Sequence, residues 1–168
     1  KNLILDKTIK DNLYVVGPGD GFFVSFSADD FSFSNYLVVS PLGDIMIPTI
    51  GLINLDKLLL KDAYDLIASK CKTKYSGASI DITLTNVRKF YVRVHGLNYG
   101  PSKVLVSPLN DVLDAFEIIV NNIDNKKLKN ISIRNINVKR NNETFTVDLV
   151  KYKIYGDSYN PTLLEEDV

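Results

Sequence analysis

Residues 17–21 read Gly17-Pro18-Gly19-Asp20-Gly21 and stand between two apolar runs, Leu13-Tyr14-Val15-Val16 and Phe22-Phe23-Val24-Ser25-Phe26. No regular helix runs through three glycines and a proline in five residues, so the chain must turn here. Pro18 presets φ for a turn, and Gly17, Gly19 and Gly21 are expected to supply positive φ values at the corner. The β-branched and aromatic flanks predict strands on both sides. A second corner follows at Pro41-Leu42-Gly43-Asp44, read as a tight hairpin between two further apolar runs, with Pro48 and Gly51 closing the stretch. Between the corners Phe31 and Phe33 alternate with serines, which fits a strand with a packed aromatic face better than a ligand-contacting loop.

A helix is expected over residues 58–71. Leu60, Ala63, Tyr64, Ile67, Ala68 and Cys71 recur on one helical face. An isolated helix of this length is marginal in water, and burying each larger side chain contributes roughly 1.5–3 kcal/mol. The helix should therefore cover the sheet built by the first segment, with Asp56 as its candidate N-cap. Cys71 lies on the apolar stripe and reads as a small buried hydrophobe; as the only cysteine it excludes an intramolecular disulfide.

Further on, Ile80-Asp81-Ile82-Thr83-Leu84 and Phe90-Tyr91-Val92-Arg93-Val94-His95-Gly96 alternate at strand period, the latter after a turn at 86–89. Phe90, Val92 and Val94 are expected inside, with Tyr91, Arg93 and His95 on the opposite face. Gly100-Pro101 marks a turn and Val104-Leu105-Val106 a strand. Ser107 and Pro108 then read as N-cap and first residue of a helix with stripe Leu109, Val112, Leu113, Phe116 and Val120, ending at Asn121-Asn122. Lys126, Lys127 and Lys129 read as a solvated loop. Residues 131–133, 137–140 and 144–149 predict strands, with Asn141-Asn142 as a hairpin turn and a short helix over 149–155 stopped by Gly156.

The chain of 168 residues is long enough for one ordinary domain or two small ones. Twenty basic residues balance twenty acidic ones, which argues against nucleic acid as a partner. No run approaches the ~18 apolar residues of a spanning helix, since Asn54, Asp56 and Lys57 interrupt the longest candidate. Residues 1–12 read as a lead-in segment without the apolar centre of a signal peptide. The sequence does not begin with Met, which fits a piece of a longer protein.

Taken in order, Tyr14-x-x-Gly17-Pro18-Gly19-Asp20 and Val39-x-x-Leu42-Gly43-x-Ile45-x-x-Pro48-x-Ile50-Gly51 resemble the polysaccharide export domain of bacterial outer-membrane auxiliary proteins. That family begins its helix with Gly-x-Thr-Leu, where this chain has Lys57 and Leu59 at the Gly and Thr positions. From Phe90 onward the chain resembles the soluble-ligand-binding β-grasp domain that commonly follows. Its closing Gly156-Asp157-x-x-x-Asn160-Pro161-x-Leu163 matches the family's, except that Glu166 stands where Gly is expected before Asp167. The resemblance implies an α+β chain with a small strand-rich export domain and one covering helix at 13–88. A β-grasp-like domain follows at 89–168, its last strand continuing past Val168. It further implies a periplasmic location at the outer membrane and self-association into a ring. The function implied is a non-catalytic conduit for capsular or extracellular polysaccharide, with an inner-membrane polysaccharide co-polymerase as partner. Gly17, Pro18, Gly19, Asp20, Gly43, Pro48, Gly51, Gly96, Asn160 and Pro161 are the structural motif residues.

No catalytic constellation competes with that reading. Pro18 removes an N–H from the glycine corner and a Phe-rich strand follows it, so the corner is not a phosphate-cradling loop. His95 is the only histidine, and Asp29-Asp30 and Glu165-Glu166 do not form acid–base pairs on an extended chain. An enzyme, a metal site and a cofactor are not expected. Tyr91, Arg93 and His95 are the candidate saccharide or interface contacts. The alternative reading is a monomeric glycan-binding or surface-assembly module.

Overall fold

The structure is a computed structural model, and it describes residues 9–28, 31–96, 102–121 and 132–168. The fold is mixed α+β, with three α-helices and small antiparallel sheets among the described residues. The chain divides into two compact units between Arg88 and Lys89.

In the first unit, β1 (Gly21–Ala28) lies between β2 (Phe31–Val38) and β5 (Ser79–Asn86), antiparallel to both. Its alternation buries Phe22, Val24 and Phe26. The serines beside Phe31 and Phe33 belong to β2, and the Phe26 ring packs 5.7 and 5.4 Å from these two aromatic rings, so the aromatic face packs. The Pro41 corner is not a hairpin. Gly43 N–H donates to the Ser40 carbonyl there, and β3 (Asp44–Ile47) leaves the corner to pair with β4 (Gly51–Asn54). The hairpin is one turn later, after Pro48 and Thr49, where Ile45 and Ile47 share a buried face with Ile53. The 13–16 run makes a single bridge, Val15 to Leu59, rather than a strand.

The covering helix α1 (Leu60–Lys74) buries Leu60, Ala63, Ile67 and Cys71. Tyr64 reaches the sheet, its ring edge-on to Phe22 at 6.2 Å and its hydroxyl accepting from the Leu84 N–H. Asp56 does not cap this helix, and no side chain does. The first N–H groups instead donate to backbone carbonyls, Leu60 to Tyr14 and Lys61 to Asp11, so the incoming chain serves as the cap.

In the second unit, β6 (Phe90–Val94) pairs with β7 (Ser102–Val106), and β8 (Ile136–Arg140) pairs with β9 (Glu143–Val147). Asn141 and Asn142 turn the second pair at φ 48° and 69°, the double left-handed geometry of a type I′ hairpin. Helix α2 (Val112–Asn121) and helix α3 (Leu149–Tyr155) complete the unit, with Asp148 capping α3 and Gly156 ending it. The core joins Val92, Val104, Val106, Val112, Ala115, Ile119, Val138, Val147, Leu149 and Leu163.

Helix α2 starts later than Ser107-Pro108 suggests. Ser107 and Asn110 close a turn of their own, Asn110 N–H donating to the Ser107 carbonyl. Asp111 and Asp114 form the cap instead: Asp114 N–H donates to Asp111 Oδ1 and Asp111 N–H to Asp114 Oδ2, each at 2.9 Å. The buried stripe is accordingly Val112, Ala115 and Ile119, not one beginning at Leu109. Residues 132–135 are not a strand. Residues 29–30, Gly100, Pro101, Asn122, Lys126, Lys127, Lys129 and residue 131 lie outside the described residues.

Candidate functional site

The glycine corner is built around one buried carboxylate. Asp20 is 0% exposed and accepts four hydrogen bonds. Its Oδ1 takes the Tyr14 hydroxyl at 2.7 Å and the Arg88 N–H at 2.8 Å; its Oδ2 takes the Gly17 N–H at 2.9 Å and Arg88 Nη1 at 2.9 Å. Nη1 also donates to the Val15 carbonyl at 3.0 Å. A buried charge is stable only when paired and hydrogen-bonded, and both conditions hold here. Burial, then the Asp20 carboxylate, push the Tyr14 hydroxyl well above its ordinary range. Tyr14 therefore stays a neutral donor, and Asp20 has no position left for a substrate.

The glycines explain the spacing. Only Gly19 takes positive φ, 93°; Gly17 and Gly21, expected to do the same, do not. Close approach accounts for them: a Cβ on Gly17 would lie 2.9 Å from Arg88 Cζ, displacing the guanidinium that holds Asp20, and one on Gly21 would sit tightly, 3.0 Å from Asn86 Cβ. Gly43 needs both its φ of 84° and its bare Cα, since a Cβ would meet Asp56 Cβ at 2.4 Å. Gly51 and Gly96 have φ of 105° and 96° with open space around them.

Asn160 and Pro161 cap α2 from the other end of the second unit. Leu113 N–H donates to Asn160 Oδ1 at 3.1 Å and Val112 N–H to the Pro161 carbonyl at 3.2 Å. A second carboxylate clamp lies nearby, which the sequence did not single out. Arg140 grips Asp167 with Nε on Oδ1 at 2.9 Å and Nη2 on Oδ2 at 2.7 Å, while Leu164 N–H donates to Oδ2 at 2.8 Å. Glu166, standing where the resembled pattern has Gly, takes φ 70°, and Lys57, at the other such position, takes φ 60°. Both departures leave the left-handed turn in place with a residue less suited to it.

Tyr91, Arg93 and His95 are all exposed, the first two on the outward face of β6 and His95 just past its end. Arg93 and His95 line the rim of a cleft of about 660 Å3, whose floor includes Val112, Ala115, Ile119 and Val138; Tyr91 does not. Cys71 is buried, and burial raises its thiol pKa. Among the described residues no group of three or more His, Cys, Asp or Glu side chains is placed to hold a metal ion. Among them, too, no helix is long and apolar enough to cross a membrane.

No model of a known protein family matches this sequence, and no curated protein does.

Proposed function

We propose that the chain is the periplasmic part of an outer-membrane polysaccharide export protein, a non-catalytic conduit for capsular or extracellular polysaccharide. On this reading the first unit is the export domain and the second a soluble-ligand-binding domain of β-grasp type. The observation that carries the reading is the ordered set of motifs from Tyr14 through Gly51 to Asn160-Pro161. Its support lies in how the motif residues are used. Asp20 is saturated with donors, Gly17 admits Arg88, and Asn160 caps a helix, which is architecture rather than bond chemistry. Self-association into a ring also needs apolar surface to bury, and the first unit exposes Tyr36, Val38, Leu42, Met46 and Leu52.

Disrupting the encoding gene tests this directly. Surface polysaccharide should be lost while polymer is retained inside the cell; unchanged surface polysaccharide overturns the reading. Light scattering of the protein purified from its own cells should give a discrete large oligomer. A glycan-binding monomer would favour the surface-assembly module instead.

A further inference from the structure

The three-stranded sheet of the first unit has two unlike faces. Phe22, Val24 and Phe26 on β1 are buried, with Leu84, Ile82 and Ile80 of β5 opposite them, so the residues between point the other way. The strand register sets those outward residues in rows across the sheet. Tyr36, Phe23 and Thr83 form one row, and Ser34, Ser25 and Asp81 form the next. The row after that is serine on every strand.

Each row offers different chemistry. Tyr36 is 71% exposed, and its ring centre lies 4.9 Å from that of Phe23. The face of an aromatic ring carries negative charge density, which attracts the slightly positive C–H groups of a sugar ring. In the next row the Ser25 and Ser34 hydroxyls are 2.7 Å apart. One proton and one lone pair close that bond, so the pair keeps a donor and several lone pairs for a ligand. Asp81 is exposed beside them and adds further acceptors. No lysine or arginine stands in these rows.

We propose that this face is a saccharide site for neutral sugar units, with a ring's C–H face on Tyr36 and Phe23 and its hydroxyls on Ser25, Ser34 and Asp81, and that it turns away uronic acids. A protein partner would press apolar surface onto the hydroxyl rows and leave those groups unpaired, which costs free energy at each one. A polyhydroxyl ligand replaces their water with hydrogen bonds of the same kind and also brings a C–H face to the aromatic row. The two kinds of row therefore select one class of ligand between them. Charge then chooses among sugars, because Asp81 repels a carboxylate and no cation in the rows offsets it. Tyr36 and Val38 belong to this face, which leaves Leu42, Met46 and Leu52 as apolar surface for self-association. The site rests on the polysaccharide reading above and narrows it to a polymer with neutral units.

The test titrates the 168-residue chain with cellohexaose, mannohexaose and chitohexaose and follows its amide spectrum. At least one hexamer should shift the Phe23, Ser25, Ser34, Tyr36 and Asp81 signals to saturation. No shift with any of them, or saturable shifts only elsewhere, overturns the proposal. The bound hexamer, oxidised to the uronate at every ring, should bind about tenfold or more weakly, and equal binding overturns the neutral assignment. Tyr36→Ala should weaken the neutral hexamer about tenfold with the first unit still folded; unchanged affinity overturns the aromatic seat. Asp81→Asn should recover about fivefold for the uronate and change the neutral hexamer by less than about twofold; undiminished discrimination overturns its basis in charge. Broadening of these signals that grows with protein concentration, without sugar, would put a second copy on the face and overturn the choice of ligand. Should gene disruption trap polymer in the cell while no hexamer binds, this site fails and the export reading stands; sugar binding without that phenotype does the reverse.

Discussion

Each unit buries one aspartate against one arginine, but the two pairs are closed to different degrees. Asp20 is fully buried and its Arg88 partner only 12% exposed. Two backbone N–H groups and a tyrosine hydroxyl complete its coordination, and the contacts join segments 68 residues apart. Asp167 is as deeply buried, yet Arg140 is 24% exposed, one backbone N–H assists among the described residues, and the pair joins residues 164–167 to β8 beside an open cleft. The first clamp closes a unit at its start and end; the second ties residues 164–167 to β8. Similar chemistry therefore carries different structural weight.

Asp20→Ala is the sharpest way to break this comparison. It removes the acceptor that Arg88, the Tyr14 hydroxyl and the Gly17 N–H share, and removing one partner of a buried ion pair costs about 3–5 kcal/mol. Urea titration followed through the amide signals of each unit should show residues below 88 unfolding at much lower denaturant, with the second unit little changed. An equal loss in both units, or none, would mean the clamp does not close the first unit by itself.

Arg140→Met should be milder, about 1–3 kcal/mol, because solvent reaches its guanidinium and can partly replace it at Asp167. The loss should appear first as faster exchange at the Lys139 and Val168 amides, which the clamp holds in register. A global loss as large as that of Asp20→Ala would erase the difference between the clamps.

Tyr14→Phe removes one donor and leaves three, for about 1 kcal/mol. It also sharpens the comparison through pH. The tyrosine's folded pKa lies above its unfolded value, so the stability it contributes is complete below about pH 10 and falls as pH rises beyond it, where the unfolded chain alone sheds the proton. The first unit should lose stability more steeply above pH 10 in the wild type than in Tyr14→Phe. Identical slopes would mean that Tyr14 is not held as the neutral donor.

How much of this was legible depended on whether the signal was local. The α1 stripe was readable because one face repeats at 3.6 residues, and the Asn141-Asn142 turn because two residues suffice to specify it. The start of α2 was misread because Ser107-Pro108 imitates a cap, whereas Asp111 and Asp114 form the reciprocal one. The corner glycines were placed correctly and explained wrongly: Gly17 serves proximity to Arg88, which only the folded chain brings near. Asp20 stood out within a motif, but Arg88 and Arg140 have no periodic or local mark linking them to carboxylates 68 and 27 residues away. Of the outward row on β6, sequence alternation gave the face, while the cleft beside Arg93 and His95 depends on strand order that no local pattern encodes.

The smallest effect should be the one place where the two units respond alike. Lys57 and Glu166 both hold left-handed φ, which costs a residue with a Cβ about 1–2 kcal/mol. Glycine removes that cost and adds back about 0.5–1 kcal/mol through the greater freedom of its unfolded chain. Among the described residues, Lys57 has a 3.8 Å contact with Asp56 in solvent to lose. Lys57→Gly and Glu166→Gly should each raise stability by up to about 1 kcal/mol, the first in unit one and the second in unit two. Gly156→Ala, at φ 92° and ψ −162° with nothing within 4 Å of an added Cβ, should lower it by about 1–3 kcal/mol through backbone strain alone. Thermal melts resolved by unit check all three, and destabilisation by either glycine would show that the side chain it removes contributes more than the strained backbone costs.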